Sequence, residues 1–242
     1  MSTIVAYLAE DQSKSKQAEF LRCGTRIAAA HGTTPVPIVT GLDLVALGQN
    51  QDPRTVDHLV VICHGGPDWL INSRRGVHAT QAGVTPSGRV SAAWLADAWA
   101  PALVPGGLVS LCACLCSRSP KWWLVQTGGW TGNDWGPGAY KDGGKRSFSA
   151  TLRDELARRG APVRVRGHGT VGHVLYNPIL REHPAELGAT GRALFGLALP
   201  GVEPTAARRR RWIDTVRGAL AERWLLGDDS AVTEIAALMG RE

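Results

Sequence analysis

The 242-residue chain is long enough for one large α/β domain, and its 44% hydrophobic content and formal charge of +6 are those of a modestly basic globular protein. No apolar run approaches the length of a membrane span, and no basic region followed by a long apolar segment opens the chain. Neither a membrane anchor nor a secretory signal is therefore expected, and a cytoplasmic location is the default.

Taken in order, residues 3–9 read as a first strand. Over 13–30, Ala18, Leu21 and Ala28, with Phe20 and Ile27 nearby, make a helical stripe. A short strand is expected at 35–39 and a third at 58–63. A loop rich in Gly, Ser and Pro follows over 72–88, then a helix over 90–100 with Trp94, Leu95 and Ala98 on one face. Gly106 and Gly107 precede a strand at 108–113. The segment 117–147 holds Trp122, Trp123, Trp130 and Trp135 among glycines and has no sustained period, as functional loops often do. Phe148, Leu152 and Leu156 at four-residue spacing, with Gly160 as a stop, predict a helix. A fifth strand over 163–165 runs into Gly167 and His168. Strands alternating with helices imply right-handed crossovers and a mainly parallel sheet.

Beyond Pro204 the pattern is helical, with one stripe at Ile213, Val216, Leu220 and Trp224 and another at Val232, Ile235, Ala236 and Met239. The expected organisation is a main domain over 1–202 and a C-terminal helical extension over 203–242. The extension opens near Arg208, Arg209, Arg210 and Arg211. That run is read as a solvated helix start in preference to a nucleic-acid contact, although arginines at a helix start oppose its dipole.

Two segments carry chemistry. Leu59-Val60-Val61-Ile62-Cys63-His64-Gly65 and Leu108-Val109-Ser110-Leu111-Cys112-Ala113-Cys114-Leu115-Cys116 are apolar runs that end in an imidazole and in thiols. Buried parallel strands read as continuous apolar runs, and open α/β sheets carry their sites at the carboxyl ends of strands. Two such strands side by side would deliver a base and a nucleophile to one sheet edge. A histidine raises the thiolate fraction of a nearby cysteine and later supplies a proton to the leaving group. The five cysteines (Cys23, Cys63, Cys112, Cys114, Cys116) are an odd set, four of them in or beside these runs, so reduced thiols are expected in place of a disulfide framework.

On these residues the chain resembles the caspase-like cysteine peptidases: caspases, metacaspases, clostripain-like enzymes and prokaryotic CHAT proteins. Ile62-Cys63-His64-Gly65 is similar to the family's strand ending in His-Gly, and Leu111-Cys112-Ala113-Cys114 to its strand ending in Ala-Cys. His64 and Cys114 are 50 residues apart, close to the caspase separation. The resemblance spans roughly residues 1–180 through strand order. It implies a three-layer α/β/α caspase-like fold and a cysteine endopeptidase acting on protein or peptide substrates. Cys114 would be the nucleophile, His64 the base and acid, and the amides of Gly65 and Cys114 the oxyanion donors. It further suggests a regulatory protease of a bacterial stress or defence pathway, and a loop cut during activation, with Lys141, Lys145 and Arg146 as the candidate sites. This chemistry requires no metal or organic cofactor.

Cys114 is preferred because it follows alanine. Strand geometry leaves the choice open, since 112, 114 and 116 share one face if the strand persists. Cys112 stands where relatives that cut after Arg or Lys often carry an acidic residue, so no basic preference transfers. Further substrate-binding candidates are Asp68, which would orient His64, Trp130 as a cleft wall, and His168, with His173 after it, at the end of the fifth strand. Cys23, Cys63 and Cys112 have a plain reading as core thiols. Two other functions fit the same residues. One is a soft-metal site built from Cys112, Cys114, Cys116, His64 and His168. The other is an inactive caspase-like module binding through the Trp-rich loop and the arginine run.

Overall fold

A computed structural model describes residues 2–10, 14–66, 68–71, 88–114, 116–117, 144–168 and 179–195. The centre of the sheet is built from the two longest apolar runs. β3 (Val56–Ile62) lies beside β4 (Leu103–Cys112), and Leu59, Val60, Val61 and Ile62 are all buried. A strand buried on consecutive residues has both faces covered, which is why its sequence does not alternate. β1 (Ser2–Leu8) pairs with β3 on one side and β2 (Val36–Ile38) on the other.

The seven-stranded sheet has the order β2-β1-β3-β4-β5-β6-β7. It is parallel from β2 through β5 (Arg164–His168). The strands β6 (Ile179–His183) and β7 (Arg192–Phe195) then add antiparallel. The protein is thus α/β with a mainly parallel sheet. The step from β1 to β2 runs one way along the sheet and the step from β2 to β3 the other. This reversal is compatible with helices on both faces, given right-handed crossovers.

α1 (Lys14–Ala30) packs on β1 and β3. It lies tightly against β1 at Gly24, where a Cβ would sit 3.3 Å from Tyr7 Cβ. α2 (Gly41–Gln49) begins with a capping box in which the Thr40 hydroxyl accepts from the Asp43 amide and the Asp43 carboxylate accepts from the Thr40 amide. α2 packs on α3 (Ala92–Trp99), where Trp99 Nε1 donates to Leu44 O at 3.0 Å. α3 packs in turn on α4 (Phe148–Arg158), whose Phe148, Leu152 and Leu156 are buried as their spacing predicts. Gly160 ends that helix at φ +75°.

The structure corrects several expected elements. α2, β6 and β7 had no counterpart in the sequence reading. β4 starts at Leu103 and takes in Gly106 and Gly107, with a register shift against β3 between Val56 and His58. A Cβ at Gly107 would lie 2.7 Å from Asp57 O, so only glycine fits that irregularity. β4 also stops at Cys112, one residue earlier than expected. The proposed extension over 203–242, Trp130, Lys141 and His173 lie outside the described residues. No helix among the described residues is long and apolar enough to cross a membrane.

Charge is concentrated at the antiparallel end. Glu182 is 1% exposed and accepts from Arg166 Nε at 2.6 Å, with Arg164 at 3.9 Å. On α4, the buried Arg153 pairs with Asp154 and donates to Pro184 O and Ala189 O, so one side chain fastens the β6–β7 connection to the helix.

Candidate functional site

The site lies where β3 and β4 end together. The last registered pair is Ile62 opposite Cys112, so His64 and Cys114 each stand two residues beyond it. Cys63 N donates to Cys112 O at 3.3 Å and carries the pairing one step past the strands. At Gly65 a Cβ would fall 2.8 Å from Ala113 Cβ and 3.0 Å from Cys114 O. The His64-Gly65 and Ala113-Cys114 segments are therefore in van der Waals contact at a position where any side chain would force its neighbours to shift.

A tight loop follows. Gly66 N donates to Trp69 O at 2.9 Å and Ile71 N to His64 O at 2.9 Å. These two bonds flank the antiparallel bridge between Gly65 and Leu70, so the Gly65 amide is not consumed by it. Ile71 has φ +64°, a conformation a β-branched residue adopts only when its surroundings impose it. The strained residue donates directly to the His64 carbonyl and so fixes the backbone that carries the imidazole. From the other side the Phe20 ring of α1 meets the His64 ring edge to face, with centroids 5.1 Å apart.

After Cys114 the chain turns instead of extending. Cys116 is buried, and its thiol donates to Ala113 O at 3.1 Å. Ser117 N donates to His168 O at 3.0 Å, while Ser149 N and Oγ both donate to Cys116 O, at 2.8 and 2.9 Å. A Cβ at Gly167 would lie 2.6 Å from both Cys116 Sγ and Ser117 Oγ. The turn after Cys114 is thereby clamped to β5 and to the first turn of α4, which Ser147 caps. Because the strand ends at Cys112, positions 112, 114 and 116 do not continue along one strand face.

The thiols are unequal. None of the five forms a disulfide, and Cys114 alone is half-buried. Burial pushes the Cys23 and Cys116 thiols up to about 12 and raises Cys63 and Cys112 well above the ordinary value. Such thiols pack as small apolar groups, and the 1% exposure of Cys112 fits that core role, not contact with a substrate. Among the described residues, no group of three or more His, Cys, Asp or Glu side chains is placed to hold a metal ion.

Of the remaining candidates, Asp68 is exposed on the loop after His64, and His168 is 2% exposed at the end of β5, behind the Ser117 turn. Lys145 and Arg146 are exposed just before α4, with Arg146 at φ +60°. Sequence reasoning assigned no site role to Phe20, Ile71, Ser117 or Ser149. Phe20 was visible only as part of a helical stripe, and the two serines carry no local signal because their partners are 32 and 33 residues away. Compared with protein-family models, curated proteins and solved structures, the chain gives no match in any of the three.

Proposed function

We propose that the chain is a cysteine endopeptidase with a caspase-like three-layer α/β/α domain, in which Cys114 is the nucleophile and His64 the general base and acid. The close contact at Gly65 carries this reading, because it holds the backbone of the histidine segment against that of the cysteine segment. Nucleophile and base on adjacent strand ends are what acyl transfer needs.

His64 takes the Cys114 thiol proton and the thiolate attacks the scissile carbonyl. The oxyanion is met by the Gly65 amide, which the bridge to Leu70 leaves uncommitted, and by the Cys114 amide. His64 then gives its proton to the leaving amine as the carbon–nitrogen bond breaks, leaving a thioester. Water, deprotonated by His64, attacks the thioester and releases the acid, and the thiol recovers its proton. Phe20 and Ile71 fix the imidazole ring and its backbone, and the Ser149 clamp fixes the turn beyond Cys114. Exposed Lys145 and Arg146 make the segment before α4 accessible to cleavage, in keeping with activation by processing there. A cytoplasmic regulatory protease is the role this reading suggests.

The test compares wild type, Cys114→Ala and His64→Ala for cleavage of a mixed peptide library read by mass spectrometry. Both substitutions are expected to lower cleavage by about 10³-fold or more with the fold intact. Wild-type cleavage by Cys114→Ala would sink the assignment.

A further inference from the structure

Leu70 and Val90 form an antiparallel bridge and exchange both backbone hydrogen bonds, at 3.4 and 3.0 Å. Leu70 and Val90 are buried, while their neighbours Trp69 and Arg89 are half-buried and stack on each other. The Arg89 guanidinium carbon lies 4.2 Å from the centroid of the Trp69 ring. The indole in turn covers Gly66, where a Cβ would meet Nε1 at 2.4 Å. Arg89 is thus held one aromatic ring away from the segment that carries His64 and Gly65.

Arg89 is only half-buried as a residue, yet its Nε is shielded from solvent and has no hydrogen-bond partner. It forms no ion pair among the described residues, and neither does Asp68 on the neighbouring loop. A guanidinium presents five donors in a planar fork suited to a carboxylate, and stacking on an aromatic face orients that fork without using its donors.

Position along the sheet edge indicates which part of a substrate meets it. Gly88 O accepts from Gly41 N at 2.9 Å, just after β2, so Arg89 lies toward the β1–β2 side of β3 and Cys114 toward the β4 side. The His64-Gly65 segment separates them. If Cys114 attacks and His64 protonates the departing amine, the departing part of the substrate extends past the histidine toward Arg89. We propose that Arg89, held on Trp69 beside the His64 loop, binds a substrate carboxylate on the leaving-group side of the scissile bond. This rests on the peptidase reading above. An acidic side chain and a free C-terminal carboxylate present the same chemistry.

The test uses the full chain and three peptides derived from a cleaved library member: one with Asp or Glu after the cut and an amidated end, one neutral with a free C-terminus, and one neutral and amidated. Wild type is expected to prefer one or both carboxylate peptides, and which one identifies the source. Arg89→Gln should lower kcat/KM for the preferred peptide by about 10- to 100-fold and leave the neutral amide within about twofold. Arg89→Lys keeps the charge but loses the fork, and should show a smaller loss on the same peptide alone. It serves as the probe if the glutamine variant does not fold. No wild-type preference, or an equal loss on all three peptides, overturns the proposal. If wild type cleaves nothing and iodoacetamide does not label Cys114, the peptidase reading fails separately. Whenever wild type cleaves nothing, fluorescence anisotropy with three library peptides bearing the same three kinds of end decides the carboxylate site: selective weakening by Arg89→Gln supports it, and equal binding of all three overturns it.

Discussion

The two ends of the sheet are held together by different forces. Around β1, β3 and β4 the contacts are mostly apolar side chains and close glycine approaches, beside a hydrogen bond between His58 and Ser110. Around β5, β6 and α4 the interior holds Arg153, Arg181, Glu182 and His183, all nearly inaccessible. The first region gains stability from area removed from water and tolerates no extra volume. The second relies on specific charged hydrogen bonds whose partners become costly once orphaned. The candidate site is assembled in the first region and braced by the second, through the Ser149 clamp on Cys116.

The strongest way to break this contrast is Arg153→Ala. It removes donors to Pro184 O and Ala189 O and leaves Asp154 without its buried partner, so a loss of about 3–4 kcal/mol is expected in urea unfolding. A loss below 1 kcal/mol would show that the hairpin holds without its latch.

Acid tests the same region next. His183 is buried with neither ring nitrogen hydrogen-bonded, and burial, reinforced by Arg181 and Arg153, lowers its pKa to about 3. His58, at the face covered by α1, is lowered to about 4, chiefly by burial, with His31 adding to it. In both cases the unfolded chain takes up protons first as pH falls below about 6.5. The stability tied to neutral histidine is therefore complete above that pH and is lost as pH falls toward 4 and then 3. For His183 the change is on the order of a few kcal/mol. His183→Leu should flatten the lower part of the denaturation profile, and an unchanged slope would contradict the assignment.

The apolar end is probed by Gly65→Ala, whose new methyl meets Ala113 and Cys114 O. It should cost about 1–3 kcal/mol by overpacking and more than about 10-fold in peptide cleavage. Wild-type cleavage by this variant would separate the Gly65 contact from the chemistry. The smallest expected effect is Asp97→Ala, which removes an exposed partner of Arg159 and should change stability by no more than about 0.5 kcal/mol.

The same contrast governs what could be read from sequence. β1, β3, β4, α1 and α4 were legible because apolar spacing follows directly from which faces are covered. β6 was not, since Arg181-Glu182-His183 reads as surface until β5 supplies Arg166 and α4 supplies Arg153. α2 carries only a local signal, the capping box from Thr40 to Asp43, which apolar periodicity does not detect. At the site, His64, Gly65 and Cys114 stood out as strand ends. The turn that withdraws Cys116 into the core depends on Ser149 and His168, which no local pattern links to it.

The inequality of the five thiols has a practical consequence. In the folded protein an alkylating reagent should meet one accessible cysteine, Cys114, while the other four are sealed in the interior. Each sealed thiol becomes reactive only when its own neighbourhood opens. Cys23 reports the release of α1, Cys63 and Cys112 the parting of the central strands, and Cys116 the loosening of the turn held by α4. Counting modified cysteines over time would make the chain its own stopwatch for local opening, with four readings from positions that need no engineered label.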